Sequence, residues 1–225
     1  MRTTLSLASK FQPAISLHGR HCLITGGSGA LGSSIAANMA RAGARVTLLG
    51  RDELKLKDAL AQLQSTTAPP SLESGAEAVD EEGRRHRYLV IGDGREVKDL
   101  IAAERKIDVL VNAAGVPQST LLVRTSDDEI ERILGSNLTL TIAACKAATR
   151  PLMRAAPDSC IINMASLLGT HGGRGSSVYA ASKAGIIGKQ EPFKSLPLAF
   201  HKGSGLRASS ANARCYFFDV SYRPN

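Results

Sequence analysis

The sequence predicts an α/β protein of the doubly wound, Rossmann type, a parallel sheet between two layers of helices (α/β/α). Three observations predict it. Short apolar runs alternate with stretches of helical periodicity. The first run ends in a glycine-rich turn, TGGSGALG at 25–32, that opens a helical stretch. The later run IDVLVNAAG, 107–115, is apolar almost throughout, as a strand covered on both faces requires.

Taken in order, RHCLITGG (20–27) reads as a buried strand feeding a turn, and ALGSSIAANMARAG (30–43) as a helix of small residues ended by Gly43. RVTLLG (45–50) is a second strand, and RDELKLKDALAQLQ (51–64) an amphipathic helix. Residues 65–87 are polar, with Pro69-Pro70 and mixed charge, and read as a surface insertion. YLVIGDG (88–94) resumes as strand three, a short helix spans roughly 95–105, and 107–115 supplies strand four. Residues 127–150 read as one long helix, SCIINMAS (159–166) as strand five, and a helix starts near Ser177. Alternation of this kind implies right-handed crossovers and parallel pairing. The boundaries expected are an N-terminal extension, 1–18, one dinucleotide-binding domain, 19–190, and an irregular tail, 191–225.

Composition narrows the function classes. With 225 residues and 43% hydrophobic content the chain can bury one proper core. No apolar run reaches the ~20 residues that span a bilayer. Cys22, Cys145, Cys160 and Cys215 are scattered, which suits reduced thiols inside a cell. No metal is expected, since His18 and His21 have no acidic partner nearby in the sequence. The net charge of +8 favours an anionic partner. Aromatics are only 4% and the basic residues form no dense block, so nucleic acid is not expected. The first acidic residue is Asp52, and the early Arg2, Lys10 and Arg20 with several Ser and Thr suit either a mitochondrial transit peptide or a plain extension. The expected location is mitochondrial or cytoplasmic, not secreted.

The chemistry concentrates in a few motifs. Glycines at 26, 29 and 32 permit a tight turn and a close backbone approach to a ligand, and the following helix offers its positive end to a pyrophosphate. After strand two, LLGRDEL puts Arg51 first at the turn, where a guanidinium suits a 2′-phosphate, while Asp52 can cap the next helix. This favours NADPH over NADH. Asp93, after strand three, is placed to accept from an adenine amino group, and Asn112-Ala113-Ala114-Gly115 keeps the chain slim beside a cofactor. In SSVYAASKAG (176–185), Tyr179 and Lys183 are four apart and so share one helix face.

Together these motifs resemble the short-chain dehydrogenase/reductase family over about residues 19–188: Gly26, Gly29 and Gly32, then Asn112 to Gly115, then Ser166, then Tyr179 with Lys183, with Ser166 lying 13 residues before Tyr179. Ala30 stands where the commoner family turn has glycine. Within the family, VNAAGVPQSTLLVRT (111–125) and SLLGTHGGRGSSVYAASKAGIIG (166–188) look most like 3-oxoacyl-acyl-carrier-protein reductases. The resemblance implies a catalytic set of Asn137, Ser166, Tyr179 and Lys183. It also implies a cofactor site at Thr25, Gly26, Ser28, Gly29, Leu31, Gly32, Arg51, Asp93, Asn112, Ala113, Ala114, Gly115, Tyr179 and Lys183. Tyr179 would donate a proton, Lys183 would lower the phenol's pKa, Ser166 would orient the carbonyl and Asn137 would hold a relay water. The partner implied is a small-molecule or carrier-protein-linked carbonyl compound, with Arg124 and Arg174 facing the acidic carrier, and a homo- or hetero-oligomer is possible. After Gly188 the resemblance stops: Pro192 and Pro197 should end the helix, no strand followed by Pro-Gly is present, and ARCYFFDV (213–220) offers only a short strand of doubtful position. Strand five would then border an open edge. The alternative implied is a weak or inactive dinucleotide-binding paralogue that serves as a subunit of a complete reductase.

Overall fold

A computed structural model of the chain describes residues 16–67, 86–92, 96–155 and 159–188, together with the backbone of 214–219. Strands β1 (His21–Thr25), β2 (Arg45–Gly50), β3 (Arg87–Val90), β4 (Val109–Asn112) and β5 (Cys160–Ala165) alternate with helices α1 (Ala30–Arg41), α2 (Glu53–Thr67), α3 (Glu96–Ala102), α4 (Asp127–Leu134) and α5 (Leu140–Ala155). A π-helical turn, Gly135–Thr139, joins α4 to α5. The short α6 (Leu168–His171) and then α7 (Ser177–Gly188) follow β5. With a sixth strand, β6 (Arg214–Asp219), the sheet order is β3-β2-β1-β4-β5-β6, every pair parallel, so the chain reverses direction of growth between β1 and β4. In such a sheet the crevice at the carboxyl ends of β1 and β4 is where a ligand fits.

Side-chain alternation along each strand builds two cores. Leu23, Leu110 and Ile161 face α3 and α5, packing on Val97, Ile101, Ala144, Ala148 and Leu152. Cys22, Ile24, Val109 and Val111 face the other way, onto Ala36, Ala40, Leu56, Ala59 and Leu63 of α1 and α2. Both sets are buried, which is why the middle positions of β1 and β4 are apolar on both faces.

Two elements differ from the sequence reading. The stretch 127–150 is not one helix: a π turn interrupts it, and the helix then runs through Pro151 to Ala155. A π turn keeps the chain helical and shifts its phase by one residue only, so the stretch still reads as one helix. At the other end, β5 is not an open edge. Strand β6 (Arg214–Asp219) pairs with it from Cys160↔Arg214 to Ala165↔Asp219. The Cys-Tyr-Phe-Phe run has high strand propensity, and the unpaired N–H and C=O groups of β5 are a template for it. The tail is therefore not irregular throughout, although the rest of 191–225, like most of the 65–87 insertion and of the 1–18 extension, lies outside the described residues. Among the described residues no helix is long and apolar enough to cross a membrane.

At the amino ends of the strands, His21 is buried and bonded to Thr47 Oγ1 (2.9 Å) and to the Lys106 carbonyl (3.0 Å). Burial holds its imidazole down at about 4, with Arg45 and Arg87 adding to the effect and the Lys106 bond opposing it. Between that value and the ordinary 6.5 the unfolded chain binds a proton that the folded chain refuses. Stability must therefore fall as pH drops through this window, by about 3 kcal/mol in all. Urea unfolding at pH 7 and pH 4.5 should show that loss, and His21→Asn should flatten it; an unchanged slope in the variant would exclude His21 as its source.

Candidate functional site

The crevice begins at the turn after β1. Gly26 has φ +69°, and a Cβ there would lie 2.6 Å from the backbone N and Cα of Ala114. A Cβ on Gly32 would lie 2.2 Å from the Gly26 carbonyl oxygen. The turn, the first turn of α1 and the loop after β4 thus meet backbone to backbone, which only glycine at 26 and 32 allows. Thr25 points inward: the Ala114 N–H lies 3.4 Å from its Oγ1, and the Ala113 N–H donates to its carbonyl at 3.2 Å. Helix α1 starts at Gly29 with no side-chain cap and no acid in its first turn, so its positive end is uncompensated. Leu31 is on that turn, and Ser28 reaches towards the end of β2, where a Cβ on Gly50 would be 3.1 Å from its Oγ. A slim backbone cradle beside an uncapped helix end fits the diphosphate of a dinucleotide.

Beyond this cradle lies a cleft of ≈ 210 Å³ lined by Arg51, Ile91, Gly92, Gly135, Ser136 and Leu140, with Glu131 and Arg132 at its side. Arg51 is exposed there. Asp52 caps α2 instead of facing the cleft: its Oδ1 accepts from the Lys55 N–H at 3.1 Å, and chiefly for that reason its carboxyl is held below the usual range. Asp93 lies outside the described residues.

Helix α7 carries Tyr179 and Lys183 into the far end of the crevice. Lys183 is buried; its Nζ donates to the Met164 carbonyl at 2.7 Å and sits 5.7 Å from the centroid of the Tyr179 ring. Burial pulls this ammonium down to about 8. Half-burial pushes the Tyr179 phenol up, and a hydrogen bond from the Ser166 side chain pulls the other way without prevailing. The sequence reading had Lys183 lowering the phenol's pKa. Here desolvation of the half-buried phenol prevails, and the ammonium donates to the Met164 carbonyl. Ser166, at the end of β5, also accepts from the Leu168 N–H at 3.2 Å.

Asn137 sits in the π turn, fully buried. Its Oδ1 accepts from the Val116 N–H at 2.7 Å, and its Nδ2 donates to the Val116 carbonyl at 3.1 Å and to Ser182 Oγ at 3.1 Å. Its own carbonyl accepts from Thr141 Oγ1 at 2.8 Å. The side chain is thus bonded to protein at both ends. Gly115 lies against it, since a Cβ there would be 3.3 Å from Asn137 Oδ1 and 3.7 Å from Lys183 Nζ. Asn112 turns away from the crevice, with Nδ2 donating to Asn163 Oδ1 at 2.8 Å, so beside a cofactor only the Ala113–Gly115 stretch is presented.

The structure therefore gathers Ser166, Tyr179, Lys183, Asn137 and Gly115 together, sets the glycine turn against Ala114, and places the Arg51 cleft along the π turn that holds Asn137. Sequence reasoning missed Ser182 and Gln118. Gln118 Oε1 accepts from the N–H groups of Val178 and Tyr179, 60 residues away, and no local pattern signals such a contact.

Residues 20–193 match the family model described as short chain dehydrogenase. The chain is 32% identical over 178 residues to the 3-oxoacyl-[acyl-carrier-protein] reductase of Chlamydia trachomatis serovar D, covering 76% of this chain and 65% of that protein. It is 36% identical over 156 residues to a short chain dehydrogenase/reductase of Macrophomina phaseolina, covering 68% of this chain and 83% of that one. The fold matches NAD+-bound xylitol dehydrogenase with a TM-score of 0.67 and 25% identity, over 79% of this chain and 65% of that one. The chain thus spans just under two thirds of the length of the Chlamydia reductase.

Removing the Asn137 amide takes partners from the partly buried N–H and carbonyl of Val116 and from the buried Ser182 hydroxyl. Asn137→Ala should cost about 2–4 kcal/mol in urea unfolding; a loss below about 0.5 kcal/mol would show that the clamp is dispensable.

Proposed function

Because the chain belongs to the short-chain dehydrogenase family, we propose that it is an NADPH-dependent carbonyl reductase acting on 3-oxoacyl thioesters of acyl carrier protein. The observation that carries this reading is the meeting of Tyr179, Ser166 and Lys183 at one end of a crevice whose other end is a backbone cradle for a diphosphate. The substrate class comes from the name of the Chlamydia reductase. The net charge of +8 and the exposed Arg124 and Arg174 suit an acidic carrier.

A reduced nicotinamide, when bound, supplies the hydride for the carbonyl carbon. The protein's part is the oxygen. Ser166 Oγ donates to it and fixes its orientation, and the Tyr179 hydroxyl delivers the proton as negative charge develops. A phenol pushed up by burial stays protonated at neutral pH and is ready to donate. Lys183, charged below about 8, stabilises the phenolate left behind. Gly26, Gly29, Gly32 and the open end of α1 would hold the diphosphate, the Ala113–Gly115 stretch the flank of the cofactor, and Arg51 the 2′-phosphate that favours NADPH.

A second reading is favoured by the departure from the family pattern after Gly188: a dinucleotide-binding subunit that binds without turnover and pairs with a complete reductase. Nucleotide titration together with a turnover assay separates the two, since only the first oxidises NADPH on addition of a 3-oxoacyl thioester.

Tyr179→Phe should reduce turnover by about 10²–10⁴-fold while NADPH binding persists; retained turnover would remove the phenol from its role. The rate of reduction should fall as pH rises through about 8, where Lys183 loses its charge, and a rate level to pH 10 would contradict this. Arg51→Ala should weaken NADPH binding by about tenfold or more and leave NADH binding unchanged; equal loss for both would assign Arg51 no part in the preference.

A further inference from the structure

We infer that Gln118 is a positioning residue for the proposed reaction, a single amide that seats the first turn of the Tyr179 helix and ties it to the loop facing the crevice. The inference rests on the reading of Tyr179 as proton donor.

Gln118 lies two residues after Val116, the residue Asn137 clamps. Its Oε1 accepts from Val178 N at 2.9 Å and Tyr179 N at 3.2 Å. These are N–H groups of the first turn of α7, which have no partner within the helix itself. Such groups are ordinarily satisfied by a local Ser or Thr, and Ser176 and Ser177 stand at the right place in the sequence. An amide from a distant loop serves them instead. The helix start is thereby fixed to the crevice wall and not merely to itself.

The other end of the amide is equally committed. Nε2 donates to the Thr120 carbonyl at 2.9 Å and to Thr125 Oγ1 at 3.2 Å. Thr120 Oγ1 donates to Glu129 Oε2 of α4 at 2.9 Å, and Thr125 Oγ1 donates to the Leu121 carbonyl at 3.0 Å. Leu121, Leu122 and Val123, within this loop, are exposed apolar residues, and the Leu121 side chain approaches Gly175, shortly before α7. Two amides therefore stitch one loop to one helix. Asn137 holds it at Ser182, next to Lys183, and Gln118 holds it at the backbone of Tyr179. A shift of the helix start would carry the phenol away from Ser166, and misplacements on that scale lower the chemical step more than binding.

The test uses the full chain with NADPH and acetoacetyl-coenzyme A, and hydrogen–deuterium exchange read amide by amide. Gln118→Met keeps the volume and removes both polar ends. It should speed exchange at Val178 and Tyr179 by about fivefold and lower kcat by roughly tenfold or more, with NADPH affinity unchanged. Gln118→Glu keeps an acceptor for both N–H groups at the positive end of α7 but cannot donate to Thr120 or Thr125. It should restore protection at 178 and 179 and most of kcat, while KM for the thioester stays raised because the 119–125 loop is released. Gln118→Met exchanging and turning over as the wild type does would overturn the inference, as would Gln118→Glu failing to restore protection. If the wild type does not turn over the thioester, the proposed function fails and the exchange measurement alone decides: faster exchange in Gln118→Met supports Gln118 as the seat of the helix, and unchanged exchange overturns it.

Discussion

The amide of Asn137 donates to Ser182 and to the Val116 carbonyl while it accepts from the Val116 N–H, and the placing of α7, with Tyr179 and Lys183, against the loop after β4 depends on those bonds. They join three pieces of chain: the loop after β4, the π turn between α4 and α5, and α7. A regular helix over 127–150 would direct residue 137 elsewhere, since the π turn shifts every later side chain by one position around the axis. The irregular turn is thus the local condition for the clamp. The clamp in turn keeps Lys183 beside Gly115, where the loop is slim enough for a cofactor to approach.

Burial then sets the electrostatics. Lys183 is enclosed, and its ammonium is kept inside by the Met164 carbonyl at 2.7 Å, at the cost of a weakened hold on its proton. The half-buried phenol of Tyr179 holds its proton more tightly than a free one. The two shifts oppose each other in direction and share one cause, desolvation in a narrow crevice. They bring an ammonium down towards neutrality and leave a phenol protonated beside it, an arrangement suited to giving up a proton on demand. At the opposite end of the same sheet, His21 shows the same cause with a structural result: with hydrogen bonds at both ring nitrogens, the imidazole stays neutral and links β1 to β2.

The parts legible in the sequence are those that local chemistry decides. Strands apolar on both faces, the glycine turn at Gly26 and Gly32, the cap at Asp52 and the shared face of Tyr179 and Lys183 follow from periodicity and residue type alone. Other features depend on partners far along the chain. The π turn shifts the phase of 127–150 without ending the helical stretch, and the place of β6 is decided by the edge that β5 offers. Asn112 belongs to a motif that suggests a cofactor, yet its side chain is drawn inward by Asn163, 51 residues on. The direction of the Tyr179 shift was not legible either, since spacing reveals that Lys183 is near but not which way its ammonium points. Gln118 sits in an ordinary polar loop, and only the folded chain brings it to the start of α7.

The most direct test of hydride and proton meeting at this crevice is isotopic. The chain would be incubated with NADPH carrying deuterium at both C4 positions of the nicotinamide and with acetoacetyl-coenzyme A, and the thioester product weighed by mass spectrometry. A 3-hydroxy thioester heavier by one deuterium, bound at carbon 3, is the predicted result. Bound NADPH with no reduced product, or a product free of deuterium, would contradict the assignment of reductase chemistry to this site.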